Sequence, residues 1–144
     1  MIITAMSAVT ISRGQFDVLE SYVASEEEEQ AALFEWAAWK LQRWPELGLL
    51  FHIPNGGLRN KVTAARLKNM GVKAGVPDLF LPVARGDWHG LFIEMKRRKG
   101  GKLSPLQVDW IEALGNQGYK TVVCFGADAA EAAIEDYLCS GDGI

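Results

Sequence analysis

Three side chains draw attention for the chemistry their types permit: Asp78 and, after fifteen intervening residues, Glu94 and Lys96 in the string Glu94-Met95-Lys96. Two carboxylates with main-chain carbonyls nearby suit a hard divalent cation such as magnesium or manganese, because these ions take oxygen ligands. A cation held there can bind a phosphate oxygen and acidify a water molecule, which points to phosphodiester hydrolysis. Taken alone, a carboxylate followed two residues later by lysine reads as an ion pair on an exposed strand. Asp78 changes that reading. It opens the preceding strand directly after Pro77, so all three groups can converge at one end of a sheet.

The elements that must position these groups are legible in the pattern. Glu94 and Lys96 are two apart in a strand-like run, Gly90 to Arg97, so they leave one face while Ile93 and Met95 leave the other. Asp78 to Val83 reads as the partner strand, with Arg85-Gly86-Asp87 as the turn of a hairpin. Upstream, Ser25 can cap a helix whose first residues, Glu26 to Glu29, suit the positive end of its dipole. The apolar stripe of that helix is Leu33, Phe34, Ala37, Ala38 and Leu41, and the helix should stop near Pro45. Leu49 to Ile53 follows as a short strand, Pro54-Asn55-Gly56-Gly57 as a turn, and Arg59 to Met70 as a second helix ended by Gly71. Ser104-Pro105-Leu106-Gln107 combines an N-cap, a proline at the first helical position and a capping-box glutamine. That helix ends near Gly118, and a buried strand, Tyr119 to Phe125, and a last helix, Ala127 to Leu138, complete the chain. Strands mixed with long helices predict an α/β domain over 25–144, with a mixed central sheet flanked by helices. Residues 1–24 show no sustained period and read as a tail, an added element or an oligomer contact.

Composition fits one globular domain: 144 residues, 49% apolar and 23% charged. No stretch reaches the roughly 20 apolar residues of a membrane-spanning helix, and no secretory leader is evident, so a cytoplasmic location is expected. Cys124 and Cys139 lack the spacing of a zinc site and read as reduced structural thiols. The net charge of −3 hides an uneven distribution. Residues 59–102 hold eleven Lys and Arg against three acids, a local +8, while the remainder carries −11. Such a basic stretch draws polyanions or simply forms a solvated surface. Among the tryptophans, Trp36, Trp39 and Trp110 have the spacing of helical core positions.

Pro77-Asp78 followed by Glu94-Met95-Lys96 resembles the signature of the PD-(D/E)XK nuclease superfamily, whose restriction-endonuclease-like core has the same element order. More narrowly, Gly75-Val76-Pro77-Asp78-Leu79, Glu94-Met95-Lys96-Arg97-Arg98, the run Gly100 to Gln107, and His52-Ile53-Pro54-Asn55-Gly56-Gly57 resemble a stand-alone VRR-NUC domain from about Ser25 to Leu138. The resemblance implies that Asp78, Glu94 and the main-chain carbonyl of Met95 ligate Mg2+ or Mn2+, and that Lys96 orients the attacking water and steadies charge on the phosphate. It implies a further acid from the first helix, Glu26 in preference to Glu27; by residue type alone Glu28 and Glu29, and alternatively the whole run Glu26 to Glu29, read as solvated acids at a helix start. Gln107 is expected to reach the site as well as cap its helix. Arg97, Arg98, Lys99 and Lys102 are expected to contact DNA phosphates, with Asn55 counted as a further DNA contact, while for both His52 and Asn55 a turn-stabilising role stands equally beside contact with substrate or a metal-bound water. The implied activity is a structure-selective DNA endonuclease for branched DNA such as four-way (Holliday) junctions, in a phage or mobile-element setting and as a homodimer. The alternatives are a monomeric nicking or flap nuclease and a catalytically silent DNA-binding module.

Overall fold

The structure, a computed structural model, describes residues 22–55 and 61–141. Helix α1 (Glu26–Trp39) leads through a 3-10 turn (Pro45–Leu49) to strand β1 (Phe51–His52) and helix α2 (Lys61–Asn69). Strands β2 (Leu79–Leu81) and β3 (Leu91–Lys96) follow, then α3 (Pro105–Asn116), β4 (Lys120–Phe125) and α4 (Ala127–Cys139). The order of helices and strands is the expected one, and the fold is α/β with a mixed sheet.

The four strands lie in the order β1-β2-β3-β4. The pairs β1/β2 and β2/β3 are antiparallel, and β3/β4 is parallel. A parallel pair needs a crossover, which α3 supplies. The hairpin is present, with Leu79 opposite Ile93 and Leu81 opposite Leu91.

The two-residue period of β3 divides its side chains between two environments. Leu91, Ile93 and Met95 are fully buried in one apolar cluster with Leu33 and Ala37 of α1 and Ala130 and Ile134 of α4. On the other face Phe92 stacks on Phe80 with ring centroids 4.2 Å apart and meets Tyr119 edge-on. Glu94 and Lys96 continue that same face beyond the aromatic rings. A tightly packed strand flanked on both edges thus presents two charged groups at its C-terminal end.

Several expectations need correction. Helix α1 stops at Trp39, capped by the Lys40 N–H, well before Pro45, which instead opens the 3-10 turn. Leu49 is consequently in that turn, and β1 is shorter than expected. Of the predicted stripe, Leu33 and Ala37 are buried and Phe34 packs against the core, whereas Ala38 and Leu41 are exposed. Trp39 is 82% exposed and is not a core residue. It lies two residues, or about 200° of helical rotation, beyond Ala37, on the solvent side. Trp36 does pack against the core, and the half-buried Trp110 donates its indole N–H to the Ala74 carbonyl. Gly56, Gly57, Arg59 and residues 1–21 of the predicted N-terminal segment lie outside the described residues. Both cysteines are free, and among the described residues no helix is long and apolar enough to cross a membrane.

Candidate active site

Glu94 and Lys96 are 2% and 5% exposed, so the exposed-strand ion pair is excluded. Their heads lie 3.3 Å apart, Lys96 Nζ to Glu94 Oε1. Burying two charges is costly unless the remaining polar atoms are paired, and the sequence supplies one residue that serves both. Gln107 is the third residue of α3, capped by Ser104. Its Oε1 accepts from the Ser104 N–H at 2.8 Å and from Lys96 Nζ at 3.2 Å, while its Nε2 donates to Glu94 Oε1 at 2.6 Å. An amide has two lone pairs on oxygen and separate donors on nitrogen, so capping and site contact are satisfied together.

Asp78 is tied to the same place from β2's entrance. Its Oδ2 accepts from the Met95 N–H at 2.7 Å and its Oδ1 from Asn55 Nδ2 at 3.3 Å. Its own carbonyl accepts from the Ile53 N–H at 2.7 Å and lies 2.9 Å from His52 Nδ1. Of the two roles open to them, Asn55 and His52 both take the stabilising one, Asn55 bonding the Asp78 carboxylate and His52 lying against the Asp78 carbonyl.

One atom breaks the pattern. Glu94 Oε2 is buried and has no hydrogen-bond partner. Burial is the main reason that the Glu94 carboxyl is pushed up to about 7, with the Asp78 charge adding to it and Lys96 opposing it. Burial likewise raises Asp78, against the Met95 hydrogen bond and with the help of Glu26. Two mutually repelling carboxylates, one with an unfilled lone-pair site, fit a divalent cation. Met95 adds to the donor set, because in an extended strand the carbonyl leaves on the same edge as the N–H, here the Asp78 edge. Glu26 is exposed, yet its charge acts on both Asp78 and Glu94. Among the described residues no three His, Cys, Asp or Glu side chains form a metal-binding group, so Glu26 stands apart from the two carboxylates.

The basic loop behaves unevenly. Arg97, Lys99 and Lys102 are exposed at the end of β3. Gly101 brings the loop over the lysine, since a Cβ there would lie 3.0 Å from Lys96 Cβ. Arg98, expected to contact phosphate, instead donates from Nε to Glu29 Oε1 at 2.8 Å and pairs with Asp128. Glu29, expected to be solvated, is 5% exposed, and its Oε2 accepts from the Ala127 N–H at 2.7 Å. Its place was readable: Glu29 precedes Leu33 by four residues and Ala37 by eight, which puts it on the buried stripe.

A mixed sheet that brings two carboxylates and a lysine to the end of its central strands defines a nuclease-type α/β domain. The VRR-NUC domain family model matches residues 17–128, and the chain belongs to that family. A solved structure described as a VRR_NUC domain protein is 36% identical, with a TM-score of 0.70, covering 82% of this chain and 91% of that one. No curated protein matches the chain.

Proposed function

We propose that this nuclease-type domain is a Mg2+- or Mn2+-dependent endonuclease that hydrolyses DNA phosphodiesters, preferring branched DNA such as four-way junctions and acting as a homodimer. The observation that carries the metal-dependent chemistry is the unpartnered, buried Glu94 Oε2 beside Asp78, in a site whose other polar atoms are paired. The branched substrate and the two-fold assembly rest on the family resemblance and on the need for two sites to make paired incisions.

Asp78, Glu94 and the Met95 carbonyl would hold the cation, with Glu26, whose charge is felt by both carboxylates, as the further acid from α1. Such a cation supplies Lewis-acid stabilisation of the phosphate and lowers the pKa of water. Lys96 has three ammonium donors, of which Glu94 and Gln107 take two, leaving one for the attacking water or a phosphate oxygen. Gln107 fixes both heads at once, so the lysine cannot swing away as the phosphate gains charge. Asn55 acts through Asp78. Arg97, Lys99 and Lys102 draw in the backbone without reading bases, while Arg98 holds the loop in place.

Incubation with labelled junction, flap and linear duplex DNA, with and without Mg2+ or Mn2+, tests this reading. The unmodified protein is expected to cut the junction fastest and only with the cation, and Asp78→Ala and Lys96→Ala to lose cleavage by at least about a thousandfold. Cleavage that persists in both variants rejects the site. Binding without cleavage by the unmodified protein identifies a silent DNA-binding module instead.

A further inference from the structure

Helix α2 (Lys61–Asn69) has no buried residue. Val62 is 80% exposed, and Met70, just beyond the helix, is 71% exposed. A nine-residue helix is marginal in water by itself, since isolated helices shorter than about 12–15 residues rarely persist without packing. The excursion that carries it is nevertheless tethered at both ends to the candidate active site. On the way out, Ile53 and Asn55 bond the backbone and side chain of Asp78. On the way back, the Ala74 carbonyl accepts from the Trp110 indole, and Gly75 lies so close to α3 that a Cβ would meet Leu106 Cβ at 2.8 Å, one residue from Gln107.

Charge says what would cover this helix. From Asn55 to Pro77 the chain has five Lys and Arg and no acid. An open depression along the helix is lined by Lys61, Val62, Ala65, Arg66, Asn69 and Met70, so cations flank a narrow apolar strip. Phosphates suit the cations and deoxyribose edges suit the strip. Pairing this face with its own copy across a two-fold axis would set Lys61 and Arg66 against like charges.

We infer that α2 is a DNA-backbone grip, a basic arm anchored on both sides of the catalytic end of the sheet that clasps the phosphates flanking the scissile bond. The inference deepens the proposed function and rests on it. Lys61, Arg66 and Lys68 provide the contacts, which carry affinity without sequence preference. The helix gains order when DNA is bound.

Fluorescence anisotropy with a labelled linear duplex, in EDTA so that no cleavage occurs, tests this over a salt series. The K61Q/R66Q/K68Q variant is expected to bind on the order of tenfold to a hundredfold more weakly at low salt. Its plot of log affinity against log salt should be shallower by about 2 to 3, as expected for about three lost phosphate contacts. None of the three residues is buried, so folding is not at stake. Amide exchange across residues 61–69 in the unmodified protein should slow when duplex is added. An unchanged salt slope in the variant, with exchange that ignores DNA, overturns the grip. So does loss of oligomer mass on sedimentation of V62D/M70D while K61Q/R66Q/K68Q binds DNA normally, which makes the helix a contact between copies. Unmodified protein that neither binds nor cuts DNA brings down the functional reading as well; unmodified protein that does both, beside a variant indistinguishable from it, removes only the grip.

Discussion

Two clusters of charge lie close together at the C-terminal end of β3, and they are built on opposite principles. In the first, Glu29 spends both carboxylate oxygens, one on Arg98 and one on the Ala127 N–H, and so ties α1 to the basic loop and to the start of α4. In the second, Glu94 has one oxygen bonded to Gln107 and Lys96 and the other buried with no partner, beside a second carboxylate. A folded protein normally satisfies its buried polar atoms, and of the three left without a partner among the described residues, Glu94 Oε2, Glu46 Oε2 and Thr121 Oγ1, the first lies beside the charge of Asp78. That combination gives the second cluster the character of a site built to receive something and leaves the first cluster as architecture. Adjacent sequence does not separate them: Arg98 follows Lys96 by two residues. The difference lies in whether each carboxylate oxygen has a donor.

The largest expected effect separates the clusters by function. Glu94→Gln should lower metal-dependent cleavage by about a thousandfold or more while the protein stays folded, whereas Glu29→Gln should keep most of its cleavage. Equal losses in parallel assays would erase the distinction. The next test uses pH. The Glu94 pKa in the folded protein, about 7, lies above its ordinary 4.5, so the folded state holds the proton more tightly than the unfolded chain. That contribution is fully present below about 4.5 and disappears as pH rises through 7, up to about 3 kcal/mol for a shift of this size. Denaturant unfolding in EDTA should therefore show stability falling across this window. Mg2+ or Mn2+ should restore stability at pH 8, and Glu94→Gln should flatten the slope.

A smaller effect belongs to the satisfied cluster. Glu29→Ala leaves the buried Ala127 N–H without its acceptor, which costs about 1–3 kcal/mol, read as a lower denaturant midpoint near neutral pH. Cations should not recover it. At the bottom of the scale, Trp39→Ser should change stability by no more than about 0.5 kcal/mol despite the size of the side chain, because that side chain stands in solvent.

Much of this was legible in advance because local chemistry is strong. Ser25 and Ser104 open α1 and α3 where expected, with Gln107 as the capping partner read from the sequence; Glu28, read as a solvated acid, turns out to close the other capping box. The alternation of β3 sends Ile93 and Met95 to the core and Glu94 and Lys96 away from it, so one face of one strand could be named from spacing alone. Two of the errors fall where position around a helix mattered more than residue type. Glu29 sits on a buried stripe although it is an acid, and Trp39 lies on the opposite side although it is an indole.

Residue types and spacing by themselves determined the element order, the mixed sheet and the nomination of Asp78, Glu94 and Lys96, since capping and two-residue periodicity act within a few residues. Tertiary structure decided what those groups became. Only the meeting of β3 with α3, the Asp78 loop and α1 showed that the Glu94–Lys96 pair is buried, that Gln107 bonds both heads, that Asn55 turns inward and that Arg98 is claimed by Glu29. Burial and hydrogen-bond satisfaction depend on neighbours distant in the chain, and they distinguish a carboxylate with an unpartnered oxygen from a fully bonded one.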